Sequence, residues 1–292
     1  MDDLPSILDA THVERRDGQV GRFRALVSAD WNAPTFPSGG VTSALALRAM
    51  EAELARPHQR LRSFATMFVS TVEAGEIAID VDVLRAGKRM SQLRANVHGP
   101  RSEGVGHTTA AAFGEDRQGF EFSYVRPPQV GPPQDYPGPA DPPPGVPAFR
   151  PPFFTNVEMR RVRVFASFET GWDGGRAEAT RWIRYRVAPR LPDGRIDPLS
   201  IIGLADTMPV ALGQYLGPGF PFFHAPSVDL TMRFFADTED DWLLSHTLAH
   251  WAGDGYASAE ITLWDAHRRL IAHATQMMVI RFPDPEDFRV PR

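Results

Sequence analysis

The chain has 292 residues, 42% of them hydrophobic and 23% charged, and a formal net charge of -5. This composition supplies a core and excludes global disorder, and the acidic balance argues against a nucleic-acid partner held by bulk positive charge. With no cysteine, disulfides, cysteine zinc sites and a thiol nucleophile are excluded together.

The first residues, Met1 to Leu8, are acidic and carry no basic segment ahead of an apolar one, so no secretory leader is expected. No apolar run approaches the roughly 18 residues of a membrane span. A cytoplasmic protein without membrane insertion is the expectation.

The first predicted element is a hairpin turning at Asp17-Gly18. A loop from Trp31 to Gly40 follows, in which Ser38 is placed to cap the next segment. Small and apolar residues from Val41 to Leu54 then predict a helix largely surrounded by protein. Strands follow at Phe64 to Val72, Glu76 to Leu84, Ser91 to Val97 and Gly106 to Phe113, separated by turn residues. Between Arg126 and Pro152 lie twelve of the 27 prolines, which rules out ladder or helix and predicts a linker or surface strap. The order then recurs: strands at Glu158 to Glu169 and Glu178 to Val187, a helix from Leu199 to Tyr215, and strands at Val228 to Phe235, Trp242 to Ala249, Tyr256 to Trp264 and Leu270 to Phe282.

The repeat aligns Thr66-Met67-Phe68-Val69 with Thr231-Met232-Arg233-Phe234. It predicts two like α+β domains, residues 1–125 and 153–292, joined by the proline-rich segment 126–152. In the second copy, Asp206 sits in an apolar helical run where an ionised carboxylate is costly without partners. Ser227, Asp229 and Thr231 on one strand and Gln276 on another are polar groups among apolar neighbours. By strand parity Asp229 shares a face with Ser227 and is a rival carboxylate. An acid, a hydroxyl and an amide brought together could bind and activate a water.

Several of these pieces resemble the double-hotdog acyl-CoA thioesterases of the type II, TesB-like group. They are Gly39-Gly40, Leu61 to Phe64, Val83 to Ser91, Ala205 to Ala211, Pro226 to Met232, Trp242-Leu-Leu, Leu263 to Ala266 and Ala274 to Met278. The resemblance implies two tandem hotdog domains, each an antiparallel sheet wrapped around a central helix, and an acyl-CoA substrate without cofactor or metal. It places an acid, hydroxyl and amide set at Asp206, Ser227 and Gln276, with Thr231 as the substitute hydroxyl. The segment Arg62 to Ala65 departs from the pattern, for a histidine is expected near Ser63 or Ala65.

In such an enzyme Asp206 would take the water's proton, backbone N–H groups at the helix start near Gly40 would hold the oxyanion, and Gly39 and Gly40 would both border the substrate. The basic turn Arg85, Lys88 and Arg89 reads as a solvated hairpin tip or as a contact for the phosphates of coenzyme A. Phe222 and Phe223 are candidates for the acyl tunnel, whereas Trp242, Trp251 and Trp264 read as core. The first copy carries Val41 to Ser43, Arg62 and Ala112 at the corresponding places, so one site per chain is expected. Exposed sheet edges predict a homo-oligomer, a dimer of double hotdogs. His246 and His250 share a strand face but have no third ligand nearby, which disfavours a metal. A hotdog hydratase would need a histidine beside the acid. The non-enzymatic alternative is a protein that binds acyl-CoA or lipid without turnover.

Overall fold

A computed structural model describes residues 4–101, 104–145, 150–220 and 222–282. The first half contains α1 (Ile7–Ala10), β1 (Glu14–Arg15), β2 (Arg22–Val27), α2 (Gly39–Leu54), β3 (Arg60–Phe68), β4 (Gly75–Ala86), β5 (Met90–His98) and β6 (His107–Gly114). The second contains α3 (Pro152–Thr155), β7 (Val157–Arg163), β8 (Glu178–Tyr185), α4 (Ile201–Ala205), α5 (Val210–Leu216), β9 (Ser227–Phe234), β10 (Leu243–Gly253), β11 (Tyr256–Trp264) and β12 (Leu270–Val279). No helix among the described residues is long and apolar enough to cross a membrane.

All twelve strands form one sheet in the order β1-β2-β4-β5-β6-β3-β9-β12-β11-β10-β8-β7. Each half supplies six strands, and the seam is the antiparallel pair β3–β9. At that seam Phe64 faces Met232 and Thr66 faces Leu230. These pairs interchange when Phe64 is matched with Leu230 and Thr66 with Met232, so the halves are related by a pseudo-two-fold axis, as in a symmetric dimer. The matching β-bulges, at Arg62 in β3 and Val228 in β9, fix this register, so the alignment of Thr66 with Thr231 is one residue out. Thr66 is buried, Met232 is buried and Thr231 is only half-buried. With a side-chain period of two, a slip of one residue exchanges the faces.

Helix α2 is the hub of the first half. Ser38 caps its start by accepting the Gly40 N–H, and Ala55 ends it in the left-handed region. Ten of its residues are buried, and it packs on β4 and β5. Each large side chain such as Leu45, Leu47 or Met50 contributes about 1.5–3 kcal/mol by leaving water.

The second half differs from the expected continuous helix. The run stops at Asp206 and resumes at Val210, because Pro209 has no N–H for the preceding turn and sits at the cap of α5. Helix α4 then packs on α2 through glycines. A Cβ at Gly40 would lie 2.7 Å from the Ile202 carbonyl oxygen and 2.9 Å from Gly203 Cα.

The described residues 128–138 of the proline-rich segment form a strap over the outer face of the second half. Val130 and Tyr136 pack on Trp182, Leu244 and Trp264. The Gly131 carbonyl accepts the Trp182 Nε1–H at 3.1 Å, and the Pro137 carbonyl accepts the Arg161 N–H at 2.8 Å. Trp264 is core as expected, but Trp251 is 48% exposed on the projecting end of β10.

Gly40→Ala forces backbone against backbone at the α2–α4 crossing and should lower stability by about 1–3 kcal/mol. The denaturant midpoint measures this; an unchanged midpoint would show that the two helices can part freely.

Candidate active site

Asp206 ends α4, its backbone N–H still bonded to the Ile202 carbonyl at 3.0 Å. Its side chain leaves the helix towards the other half and meets the start of α2. Oδ2 accepts the Gly40 N–H at 2.7 Å and the Ser38 hydroxyl at 2.9 Å. Oδ1 accepts from Gln276 Nε2 at 2.7 Å, and the same Nε2 also donates to Ser227 Oγ. One carboxylate is thus held by the N-terminus of a helix from the first half and by an amide and hydroxyl pair from the second.

Gln276 reaches this point by strand alternation. Ala272, Ala274, Gln276 and Met278 form the inward face of β12, and Gln276 faces Leu230 on β9. Ser227 arrives differently. Met277 pairs with Asp229 but Met278 pairs with Ser227, so Val228 is an extra residue, a β-bulge. The bulge turns Ser227 to the inward face, which strand parity alone assigns to Val228.

This overturns two expectations. Asp229 does not share a face with Ser227; its Oδ1 accepts the Met277 N–H at 3.0 Å beside the bulge. Thr231 lies between the inward residues Leu230 and Met232 and faces Thr275, on the opposite side of the sheet from Gln276. It cannot replace Ser227 there.

The same bulge occurs in the first half, where Arg62 is the extra residue opposite β6. Leu61 therefore occupies the place of Ser227, rather than Arg62. Ala111 faces Phe64 as Gln276 faces Leu230, so it is Ala111 rather than Ala112 that matches Gln276. Both first-half residues are apolar and buried.

Burial pushes the Asp206 carboxyl above its ordinary value, and the Gly40 N–H, Ser38, Gln276 and Ser227 each pull it back. The start of α2 adds the partial positive charge of a helix N-terminus, about half an elementary charge. Gly40 is not free for an oxyanion, since its N–H is taken by Asp206. The Gly39 N–H donates to no group among the described residues. A Cβ on Gly39 would lie 2.7 Å from the Phe68 ring and 3.4 Å from Asp206 Oδ2, so glycine keeps that approach open. Gln276 Oε1 is buried and also without a hydrogen-bond partner.

The basic turn lies elsewhere. Gly87 and Lys88 carbonyls accept from Gln59 at 3.0 Å, and Gln59 follows the C-terminal end of α2. Arg85, Lys88 and Arg89 thus sit at the opposite end of a helix about 24 Å long from Asp206. Phe223 packs at the edge of the core, and Phe222 stands edge-on to His224 with ring centroids 4.9 Å apart. His246 contacts Glu178 and His250 contacts Glu260, each at 3.1 Å. Among the described residues no group of histidine and acidic side chains could hold a metal ion.

Ser38 is the residue that sequence reasoning used only as a cap. Its contact with Asp206 spans 168 positions, and the signal for it was a hydroxyl immediately before Gly39-Gly40.

Family models match both halves. The acyl-CoA thioesterase N-terminal domain matches residues 27–114 and the acyl-CoA thioesterase C-terminal domain matches residues 131–280. No curated protein matches the chain. Among solved structures, a conserved hot dog fold protein from Alicyclobacillus acidocaldarius is 22% identical with a TM-score of 0.78, over 95% of this chain and 98% of that one. An acyl-CoA thioesterase II from Mycobacterium marinum is 19% identical with a TM-score of 0.71, over 96% and 99%. A tesB protein from Mycobacterium avium is 18% identical with a TM-score of 0.70, over 95% and 98%. These likenesses show the fold, two tandem hotdogs in one chain, and the family models cover both halves of it. The chain belongs to the acyl-CoA thioesterase family, as a TesB-like double-hotdog thioester hydrolase.

Proposed function

We propose that the chain hydrolyses acyl-CoA thioesters to free fatty acid and coenzyme A, using a water activated by Asp206 with Ser227 and Gln276. The observation that carries this reading is the convergence of all three side chains on one point at the helix start, with Gln276 Nε2 bonded to both partners. A water beside them would give one proton to the Asp206 carboxylate and a hydrogen bond to the unpartnered Gln276 Oε1. Its oxygen attacks the thioester carbonyl carbon, and the developing oxyanion is met by the Gly39 N–H. The tetrahedral intermediate then collapses. The C–S bond breaks, and the thiolate of coenzyme A takes the proton back from Asp206, which returns as a carboxylate.

The electrostatics suit the role. A base must hold a proton well enough to accept it, and burial raises Asp206 in that direction. The opposing donors favour the ionised form. Assembly of two chains, as a dimer of double hotdogs, belongs to the same proposal and is read by sedimentation.

Asp206→Asn should lower kcat by about 10²–10⁴-fold, the usual worth of a general base, measured as free thiol released from a panel of acyl-CoAs. Ser227→Ala and Gln276→Ala should each lower it by a smaller factor, while Thr231→Val leaves it unchanged because Thr231 faces away. Near-wild-type turnover in Asp206→Asn would sink the reading.

The pH dependence has a definite sign. A carboxyl whose folded pKa lies above its ordinary value of 3.8 binds its proton more tightly in the native state. Its stabilisation is therefore present at low pH and lost as pH rises through the folded value. The melting temperature of Asp206→Asn relative to wild type should accordingly climb between acid and neutral pH. A flat difference would show that burial does not raise this group.

A further inference from the structure

Arg181 lies on β8 with 3% of its surface exposed, on the inward face shared with Ala179, Ile183 and Tyr185. Burial lowers its pKa to about 10, so it is a cation at neutral pH. No carboxylate forms an ion pair with it among the described residues. A buried charge without a counter-charge is costly, and an apolar side chain in its place is often neutral for stability. What Arg181 holds instead is one residue: Nη2 donates to the Thr207 carbonyl at 3.3 Å and to Thr207 Oγ1. Nη1 reaches only the weak acceptor Met159 Sδ at 3.5 Å, and Nε has no partner.

Thr207 follows Asp206 directly and lies in the break between α4 and α5. A helix break leaves carbonyls without intrahelical donors. Here the Leu204 carbonyl accepts the Thr207 hydroxyl at 2.7 Å, and the Thr207 carbonyl accepts from Arg181. Side chains, not a helical ladder, hold the backbone on the far side of Asp206. The planar guanidinium suits this, since its conjugated plane fixes the direction of the Nη2–H groups that reach Thr207, whereas an ammonium turns freely about its last bond.

We propose that Arg181 is a positioning residue for Asp206. By clamping Thr207 it fixes the direction in which the Asp206 carboxylate leaves the break towards Gly40 and Gln276. This rests on the reading that Asp206 activates the water.

The test compares kcat, KM and melting temperature for wild type, Arg181→Met, Arg181→Lys and Asp206→Asn, with acyl-CoA as substrate. A misplacement of about 1 Å costs on the order of 10²-fold in rate. Arg181→Met should therefore lower kcat by roughly 10–100-fold with KM held within about twofold. Arg181→Lys, which keeps the charge and N–H donors but not the guanidinium plane, should recover part of that loss. A kcat within about twofold of wild type in Arg181→Met, whatever its melting temperature, overturns the inference and leaves Arg181 a packing residue. If circular dichroism shows Arg181→Met unfolded, the isosteric Thr207→Val decides: it should lower kcat with KM kept, and unchanged kcat is the overturning result. Absence of thiol release by the wild type itself overturns the thioesterase mechanism proposed above, and this inference with it. Full wild-type activity with an unaffected Arg181→Met overturns this inference alone.

Discussion

The Asp206 carboxylate joins the two halves of the chain. It closes α4 in the second half and accepts the Gly40 N–H and Ser38 hydroxyl at the start of α2 in the first. That contact needs the helices to cross closely, which Gly40 allows because a Cβ there would run into the Ile202 carbonyl and Gly203 Cα. A carboxylate at a helix N-terminus is stabilised by the unbonded N–H groups there. The same contact therefore serves the packing of the halves and the ionisation of the acid.

The balance at Asp206 is between desolvation and donors. Burial favours the neutral acid, whereas the four hydrogen-bonding groups favour the carboxylate. Their opposition, with desolvation the larger effect, leaves a carboxyl raised above its ordinary value yet supplied with partners for its charge. The supports come from separate elements: a loop and helix start, two strands, and, on the far side of the break, Arg181 acting through Thr207. The duplication makes this possible. The second half gives the acid, hydroxyl and amide, and the first gives the helix start that faces them, while Leu61 and Ala111 keep its own equivalent place apolar.

A single extra residue decides which hydroxyl belongs to the site. Alternation along β9 places Asp229 and Thr231 with Ser227, and without the bulge at Val228 all three would face away from Gln276. With it, Ser227 alone turns inward. The corresponding bulge at Arg62 shows that the irregularity belongs to both copies of the fold unit. Bulges of this kind re-aim one side chain without disturbing the strand that follows.

The element order, the repeat and the family resemblance were legible in the chain, because apolar periodicity and turn residues are local properties. Asp206 and Gln276 stood out for the same reason, as polar groups in apolar runs that must find partners. The helix break was signalled only by Pro209, and neither bulge had a local marker, so Thr231, Asp229, Arg62 and Ala112 were each placed one step or one face wrong. That the basic turn of Arg85, Lys88 and Arg89 lies at the far end of α2 from Asp206 was decided by the direction of that helix. What tertiary structure alone decided was which helix start meets Asp206, that Gly39 rather than Gly40 keeps a free N–H, and that Arg181 holds Thr207. Those contacts join positions far apart in the chain, and they depend on sheet register and helix crossing, which local sequence patterns do not encode.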